Sequence, residues 1–436
     1  MKSVRVGLMG LGTVGGGTAT VLMRNAEDIT RRVGRSIEIV RAAAREINEQ
    51  TIFPAETTVK LSEDAWDVVN DPDVDVVVEL IGGYSPAREL VLKAIENGKH
   101  VVTANKALIA MHGEEIFAAA NEKGVSVCYE AAVAGGIPII KAMREGLAGN
   151  KIEWLAGIIN GTGNFILTEM RDKGRDFDDV LKEAQALGYA EVDPTFDVEG
   201  IDAAHKLTIL ASIAFGIPLQ FEKTFTEGIS KVTTEDVTYA EELGYRIKHL
   251  GVARRTDKGI EMRVHPTLIP AKRLIANVDG VMNAVLVHGD AVGPTLYYGA
   301  GAGAEPTASA VVADIADVAR TFESSVENKV AALGYQTGQE ADINVLTSDD
   351  FETAYYLRLH VEDRPGVLAE VARIFAEQGI SIEAVIQKEP QTEGSKVSLI
   401  LLTQKVQEKR MNAALAKVEA ANISESVTRI RVEHLG

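Results

Sequence analysis

The sequence predicts an α/β chain in three parts: a Rossmann-type, doubly wound nucleotide-binding domain, a mixed α+β domain, and a small ferredoxin-like domain at the C-terminal end. Three observations carry this. The turn Gly10-Leu11-Gly12-Thr13-Val14-Gly15 follows the apolar run Val4 to Met9 and opens a helix-forming segment, the strand-to-helix setting that G-x-G-x-x-G requires. Apolar runs then alternate with helical patterns up to about residue 130, as buried parallel strands and their crossover helices do. Beyond residue 350 the order is strand, helix, strand, strand, helix, strand, the split βαβ arrangement.

Composition narrows the function classes. A chain of 436 residues has room for about two to four domains, each with its own core. A formal charge of -18 argues against nucleic acid as a partner, which needs a basic face. No apolar run approaches the roughly 20 residues of a membrane span, and Met1-Lys2-Ser3 passes directly into an apolar strand without the pattern of a signal peptide. The expectation is a cytoplasmic protein with no membrane partner. The single cysteine, Cys128, lies in the apolar pattern Val-Ser-Val-Cys-Tyr and reads as a buried, inert thiol. The eight histidines are scattered, and His205 reads as a packing residue.

Along the chain, the glycines of the first turn let a pyrophosphate approach the helix N-terminus, where free N–H groups point outward. The helix runs to about Arg24, and a second strand covers Ile37 to Ala43. Its end carries Arg41-Ala42-Ala43-Ala44-Arg45, with no carboxylate for the 2′-OH of NAD, whereas Arg45 suits a 2′-phosphate. NADP is therefore favoured over NAD. Val74 to Leu80 is a buried strand, a helix follows from Arg88 to Asn97, and His100 to Thr103 is the fourth strand. Lys106 lies just past its carboxyl end, the edge where doubly wound sheets bind ligands. Val125 to Tyr129 reads as a fifth strand, which closes the nucleotide-binding domain at about residue 140.

Residues 141–300 read as a mixed substrate domain. Gly299 to Thr307 is a second glycine-rich approach to a helix, about Thr307 to Phe322, so that 301–330 complete the first domain. Residues 331–350 are polar and turn-rich, a linker to 351–436.

The chemistry concentrates at residues 188–206, where Glu191, Asp193, Asp197, Glu199 and Asp202 precede Lys206. Ile201 to Phe215 has no Gly or Pro and predicts a helix that places Asp202 and Lys206 at i, i+4. Leu207, Ile209, Leu210, Ile213 and Phe215 make that helix largely buried, and buried charges are kept when paired or used.

Taken together, the first glycine turn, Thr103-Ala104-Asn105-Lys106, the Gly188 to Lys206 block, Asn160-Gly161-Thr162 through Leu167 and Gly301 to Asp314 resemble the homoserine dehydrogenases that carry a C-terminal ACT regulatory domain. The resemblance covers nearly the whole chain. It implies reversible reduction of L-aspartate 4-semialdehyde to L-homoserine with NAD(P)H, in threonine, methionine and isoleucine biosynthesis. It makes Lys206 the proton donor, Asp202 and Glu191 the holders of substrate with Gly188 beside them, and Lys106 a contact to the reacting carbonyl and cofactor. Gly10, Gly12, Thr13, Val14, Gly15, Thr103 and Gly303 would lie along the cofactor. A monovalent cation, sodium in the family, would be held by Glu130 and the backbone oxygens of Val133, Gly135 and Ile137. A homodimer or homotetramer and threonine feedback at the ACT domain are further implications. The chain departs from the pattern at Ser381, where many ACT domains have asparagine, and at Gly163, where many family members have threonine or serine.

The chemistry suits these roles. Hydride arriving at an aldehyde carbon leaves an alkoxide that needs a cation and a proton, and a lysine with an ordinary pKa of about 10.4 carries both at neutral pH. Two other classes share parts of the pattern. A dehydrogenase acting at an amine carbon would share the first domain and the acids and would exchange ammonia, and a nucleotide-sensing regulator would bind cofactor without turnover.

Overall fold

The computed structural model describes residues 2–46, 53, 58–324, 329–336, 338–388 and 396–436. The chain divides into two compact units, Met1–Leu155 with His205–Glu222 and Met282–Ile343, and Ala156–Ala204 with Lys223–Val281 and Asn344–Gly436.

The first unit is built on six parallel strands, Val4–Met9, Ile37–Ala43, Lys60–Ser62, Val76–Glu79, His100–Thr103 and Val127–Cys128, in the sheet order third, second, first, fourth, fifth, sixth. This is the doubly wound order, with its switch point between the first and fourth strands. Val4, Val6 and Leu8 face one side, among Ala308, Val311 and Ile315 of helix Ala304–Arg320. Met9, Val77 and Val101 face the other, among Leu90, Leu108 and Ile116. Both faces are covered, which is why these strands are apolar runs rather than alternations.

The fifth strand of the sequence reading is the sixth of the sheet. Lys60–Ser62, an edge strand of 3 residues, is too short to show a period. Helix Ala26–Val33 likewise shows no clear apolar period, because Ile29 and Val33 are its only large apolar residues among Glu27, Asp28, Arg31 and Arg32. Helix Ala304–Arg320 starts before Thr307 because Gly303, at φ 121°, is its N-cap, which puts Pro306 in the first turn where its missing N–H costs nothing.

In the second unit, strands Tyr245–Thr256 and Gly259–Pro270 form a long antiparallel pair. The C-terminal strands Glu352–Val361, Ile382–Gln387, Val397–Thr403 and Ser424–Val432 lie in the order fourth, first, third, second, the ferredoxin-like order the sequence predicts. Tyr355, Leu357 and Leu359 pack on the two helices of this domain, through Val371, Phe375, Met411 and Val418. The alternate residues Tyr356, Ile400 and Ile430 face Ile166, Val180 and Val237, so the second face is buried too. On that face Arg358 grips Asp236, Nε to Oδ1 at 2.6 Å and Nη2 to Oδ2 at 3.0 Å. The fourth strand extends the pairing, with Thr267 opposite Arg431 and Leu268 opposite Val432 in parallel.

Candidate active site

The glycine turn is shaped by close approach. A Cβ on Gly15 would fall 1.9 Å from the Gly10 carbonyl oxygen, and one on Gly17 would fall 2.5 Å from the Ala304 oxygen. Gly10 sits at φ 97°, where side chains are strained. A Cβ on Gly12, by contrast, would meet nothing within 4 Å. Gly12 caps helix Thr13–Arg24, and the first amides of a helix have no partner within it. A tight inner wall with an open outer face and free helix-start amides fits a pyrophosphate. Thr13 is exposed and Val14 half-buried at this edge, and Arg45 is exposed just beyond strand Ile37–Ala43. The Gly17 contact brings the start of helix Ala304–Arg320, with Gly303, to the same helix.

At the carboxyl ends of the fourth and fifth strands a buried network takes over. Glu79, with no solvent exposure, accepts from Thr103 Oγ1 at 2.6 Å and from the amides of Ile81 and Gly82 at 2.8 and 3.0 Å. Thr103 Oγ1 in turn accepts from the Asn105 amide at 3.0 Å. Asn105 donates to the Gly83 oxygen at 2.6 Å and its Oδ1 caps the next helix by accepting from Leu108 N at 3.0 Å. Lys106 is the first residue of that helix and is half-buried. Through Thr103 and Asn105, Glu79 therefore anchors the start of the helix that opens with Lys106, although in the sequence it is one letter of a strand. Its signal was a carboxylate closing a run of valines.

The segment from Glu130 to Ile137 follows the sixth strand. Glu130 is 1% exposed and its two oxygens accept from the amides of Ile140 and Lys141 at 2.8 Å each. Burial raises its pKa against those amides, and its own amide donates to Asp314 Oδ2 at 2.7 Å. Asp314 is pushed up to about 7 by burial and by the Glu130 charge. Ala134 and Gly135 are both left-handed, at φ 56° and 46°, so the chain reverses between Val133 and Ile137. A Cβ on Gly135 would lie 2.4 Å from the Gly301 oxygen. The Glu130 carboxylate and the backbone carbonyls of this turn are oxygen donors, the kind a hard cation takes. Nearby, burial pushes the Cys128 thiol up to about 12, so it stays a thiol at neutral pH.

The acidic block lies before and within helix Ile201–Phe215. It contains a helical turn, Thr195–Val198, where the sequence predicts only loop. Asn160 Nδ2 donates to Asp202 Oδ2 and to Asp197 Oδ1, both at 2.8 Å, while its Oδ1 accepts from Gly163 N at 2.7 Å and caps helix Gly161–Lys173. With both amide ends committed, the orientation of Asn160 is fixed by its partners. Asp202 is 3% exposed, and Lys206, one turn on, is half-buried among buried neighbours. Gly188 and Glu191 are exposed. Their loop is tied down by Thr162 Oγ1 donating to the Tyr189 oxygen and by Gln185 Nε2 donating to the Glu191 oxygen at 3.1 Å. His205 is 1% exposed and stacks on Phe221 at 4.2 Å.

Comparison with known proteins decides the family. Residues 10–130 match the homoserine dehydrogenase NAD-binding domain, 138–316 the homoserine dehydrogenase domain and 355–420 the ACT domain. Over 436 residues the chain is 66% identical to the homoserine dehydrogenase of Pseudomonas aeruginosa, covering 100% of both. The chain belongs to the homoserine dehydrogenase family. It is an NAD(P)-dependent oxidoreductase of amino-acid biosynthesis with a nicotinamide-nucleotide domain and a C-terminal ACT domain. A homoserine dehydrogenase structure from Thiobacillus denitrificans is similar at a TM-score of 0.95 and 65% identity, over 100% of this chain and 99% of that one. A hyperthermophilic archaeal homoserine dehydrogenase in complex with NADPH is similar at a TM-score of 0.63 and 25% identity, over 74% of this chain and 100% of that one. Among the described residues no helix is long and apolar enough to cross a membrane.

Proposed function

We propose that the chain reduces L-aspartate 4-semialdehyde reversibly to L-homoserine, with NADPH favoured over NADH, in the biosynthesis of threonine, methionine and isoleucine. The observation that carries this reading is Asn160 drawing Asp202 and Asp197 together at the start of the helix that bears Lys206. A nicotinamide held along the first glycine turn would supply the hydride for the aldehyde carbon. Lys206 gives the oxygen its proton, and Lys106 supports the developing charge from the helix start behind Asn105. Asp202 and Glu191 take the substrate's amino group, as carboxylate acceptors do, with Gly188 leaving their loop unobstructed. Gly10, Gly12, Thr13, Val14, Gly15, Thr103 and Gly303 line the cofactor, and Arg45 faces the 2′-phosphate. The NADPH in the archaeal relative's structure is in line with that preference.

In this reading residues 1–140, completed by 301–330, bind nucleotide, and 141–300 bind substrate and pair two copies into a homodimer or homotetramer. Residues 331–350 link them to the regulatory domain, 351–436. Glu130 with the oxygens of Val133, Gly135 and Ile137 holds sodium, threonine acts at the ACT domain, and the protein works in the cytoplasm. The test is loss of NADPH absorbance with L-aspartate 4-semialdehyde. Lys206→Ala should fall by about 100-fold or more with an unchanged melting temperature. Turnover near wild type in that variant would reject Lys206 as the acid.

A further inference from the structure

The ACT domain shares a core with the acidic block, through Val198 and Ala190 among Tyr356, Ile400 and Ile430, and one guanidinium adds a polar link toward it. Arg431, on the last strand, is fully buried. Its Nε donates to Glu408 Oε2 at 2.9 Å and its Nη2 to Glu408 Oε1, while its Nη1 donates to Glu227 Oε2 at 2.6 Å. The guanidinium carbon lies 4.7 Å from the centre of the Phe225 ring. Glu408 opens the second helix of the ACT domain, and Glu227 follows the short strand Phe225–Thr226 of the preceding domain. A planar fork that holds two carboxylates at once is available to arginine and not to lysine.

From Glu227 the contacts run directly to the acidic block. The Glu227 carbonyl accepts from His249 Nε2 at 3.0 Å. That ring is buried and held neutral, its pKa lowered to about 4 by burial, so the donating hydrogen is on Nε2. A Cβ on Gly200 would lie 3.0 Å from His249 Cε1, and one on Gly228 would lie 2.2 Å from Glu199 Oε2. Ile229 N donates to the Val198 oxygen at 2.9 Å, and Ser230 Oγ donates to Glu199 Oε1 at 2.7 Å. Residues 227–230 are thus the wall against which 198–200 lie, and Asp202 follows two residues later.

We infer that Arg431 and Glu227 are positioning residues for the substrate-holding carboxylate, so that the ACT domain sets the geometry of the acidic block through this pair. The inference rests on the reading of Asp202 as a substrate contact. It places the effect of the pair on semialdehyde binding and not on the nucleotide turn, which belongs to the other unit.

Glu227→Gln tests it in the full-length protein. The Glu227 side chain is 33% exposed, the substitution keeps its shape, and the Arg431–Glu408 pair survives, so the variant should fold. The loss of one charge-assisted bond should raise KM for aspartate semialdehyde about five- to tenfold, with kcat and the NADPH KM within about twofold of wild type. Arg431→Lys should move the same constant, and the double variant should be no worse than Arg431→Lys alone, since the two residues act as one unit. Asp202→Asn is measured alongside. A folded Glu227→Gln with wild-type KM, while Asp202→Asn raises it, would overturn the inference alone, as would additive effects in the double variant. An unchanged KM in Asp202→Asn would overturn the underlying reading of Asp202 and the inference with it.

Discussion

Asn160→Asp is the most exacting perturbation of the acidic block, because it changes one atom of a side chain whose every polar contact is assigned. The donor nitrogen that faces Asp202 and Asp197 at 2.8 Å becomes an oxygen, and Asn160 is only 5% exposed. Two carboxylates at that separation repel by about 6 kcal/mol at an effective dielectric of ~20. The cluster has a cheaper response, which is to take up one proton. Holding a carboxyl with an ordinary pKa of about 3.9 protonated at pH 7 costs about 4 kcal/mol, since each unit is ~1.4 kcal/mol, and that caps the loss. The folded-state pKa is raised above the unfolded value, so the folded form binds more protons and the deficit grows as pH rises. It is near zero below about pH 4, about 1.5 kcal/mol at pH 5 and about 4 kcal/mol at pH 7. Melting temperatures of variant and wild type across pH 5 to 8 read this directly, with a gap of about 4 °C or more at pH 7 that narrows on acidification. Asn160→Ala, which loses the cap and the donors without adding charge, should show a gap with a smaller pH dependence of the same sign, because the two carboxylates lose donors to their charged form. An equal gap at pH 5 and pH 8 in Asn160→Asp would refute the reading that this amide faces two ionised carboxylates.

Two further outcomes follow from the geometry. Gly15→Ala must open the first turn, because its Cβ would fall 1.9 Å from the Gly10 oxygen; NADPH affinity, followed by nicotinamide fluorescence, should weaken about tenfold or more, and wild-type affinity would show that the turn does not carry the nucleotide. Glu433 is buried, which opposes its charge, yet Arg263 and Arg254 at 2.6 and 2.7 Å hold its pKa down to about 2. Its contribution of about 3 kcal/mol is present above its ordinary pKa of about 4.3 and is lost as pH falls toward about 2. The stability gap between Glu433→Gln and wild type should therefore shrink by about 1.7 kcal/mol between pH 7 and pH 3, with the rest lost only below the folded pKa, and a constant gap would reject the pairing.

What was legible in the sequence is what local chain geometry decides. The glycine turn, the runs Val4 to Met9 and His100 to Thr103, and helix Ile201–Phe215 are fixed by period, by steric demand and by neighbours a few residues away. Their positions agree with the structure to within a residue. The short edge strand Lys60–Ser62 carries too little pattern to be seen. The support of the acidic block is invisible for a different reason. Asn160 meets Asp202 across 42 residues of sequence, and Arg431 meets Glu227 across 204, so no window of the chain contains both partners.

One rule nevertheless reaches across those distances. Asp202 and Lys206 stand out because a charge on an apolar element must be paired or used, and the same reasoning applies to Glu79 at the end of Val76–Glu79 and to Arg431 within Thr428-Arg429-Ile430-Arg431-Val432. In the second case alternation alone misleads, since it assigns arginine to a solvent face. The strand that carries it is flanked by Gly259–Pro270 on one side and Glu352–Val361 on the other. A central strand has no free face when both sides of its sheet are packed, so an alternating arginine there predicts buried carboxylates from elsewhere in the chain. Glu408 and Glu227 are those carboxylates, one from the ACT domain and one from the domain before it.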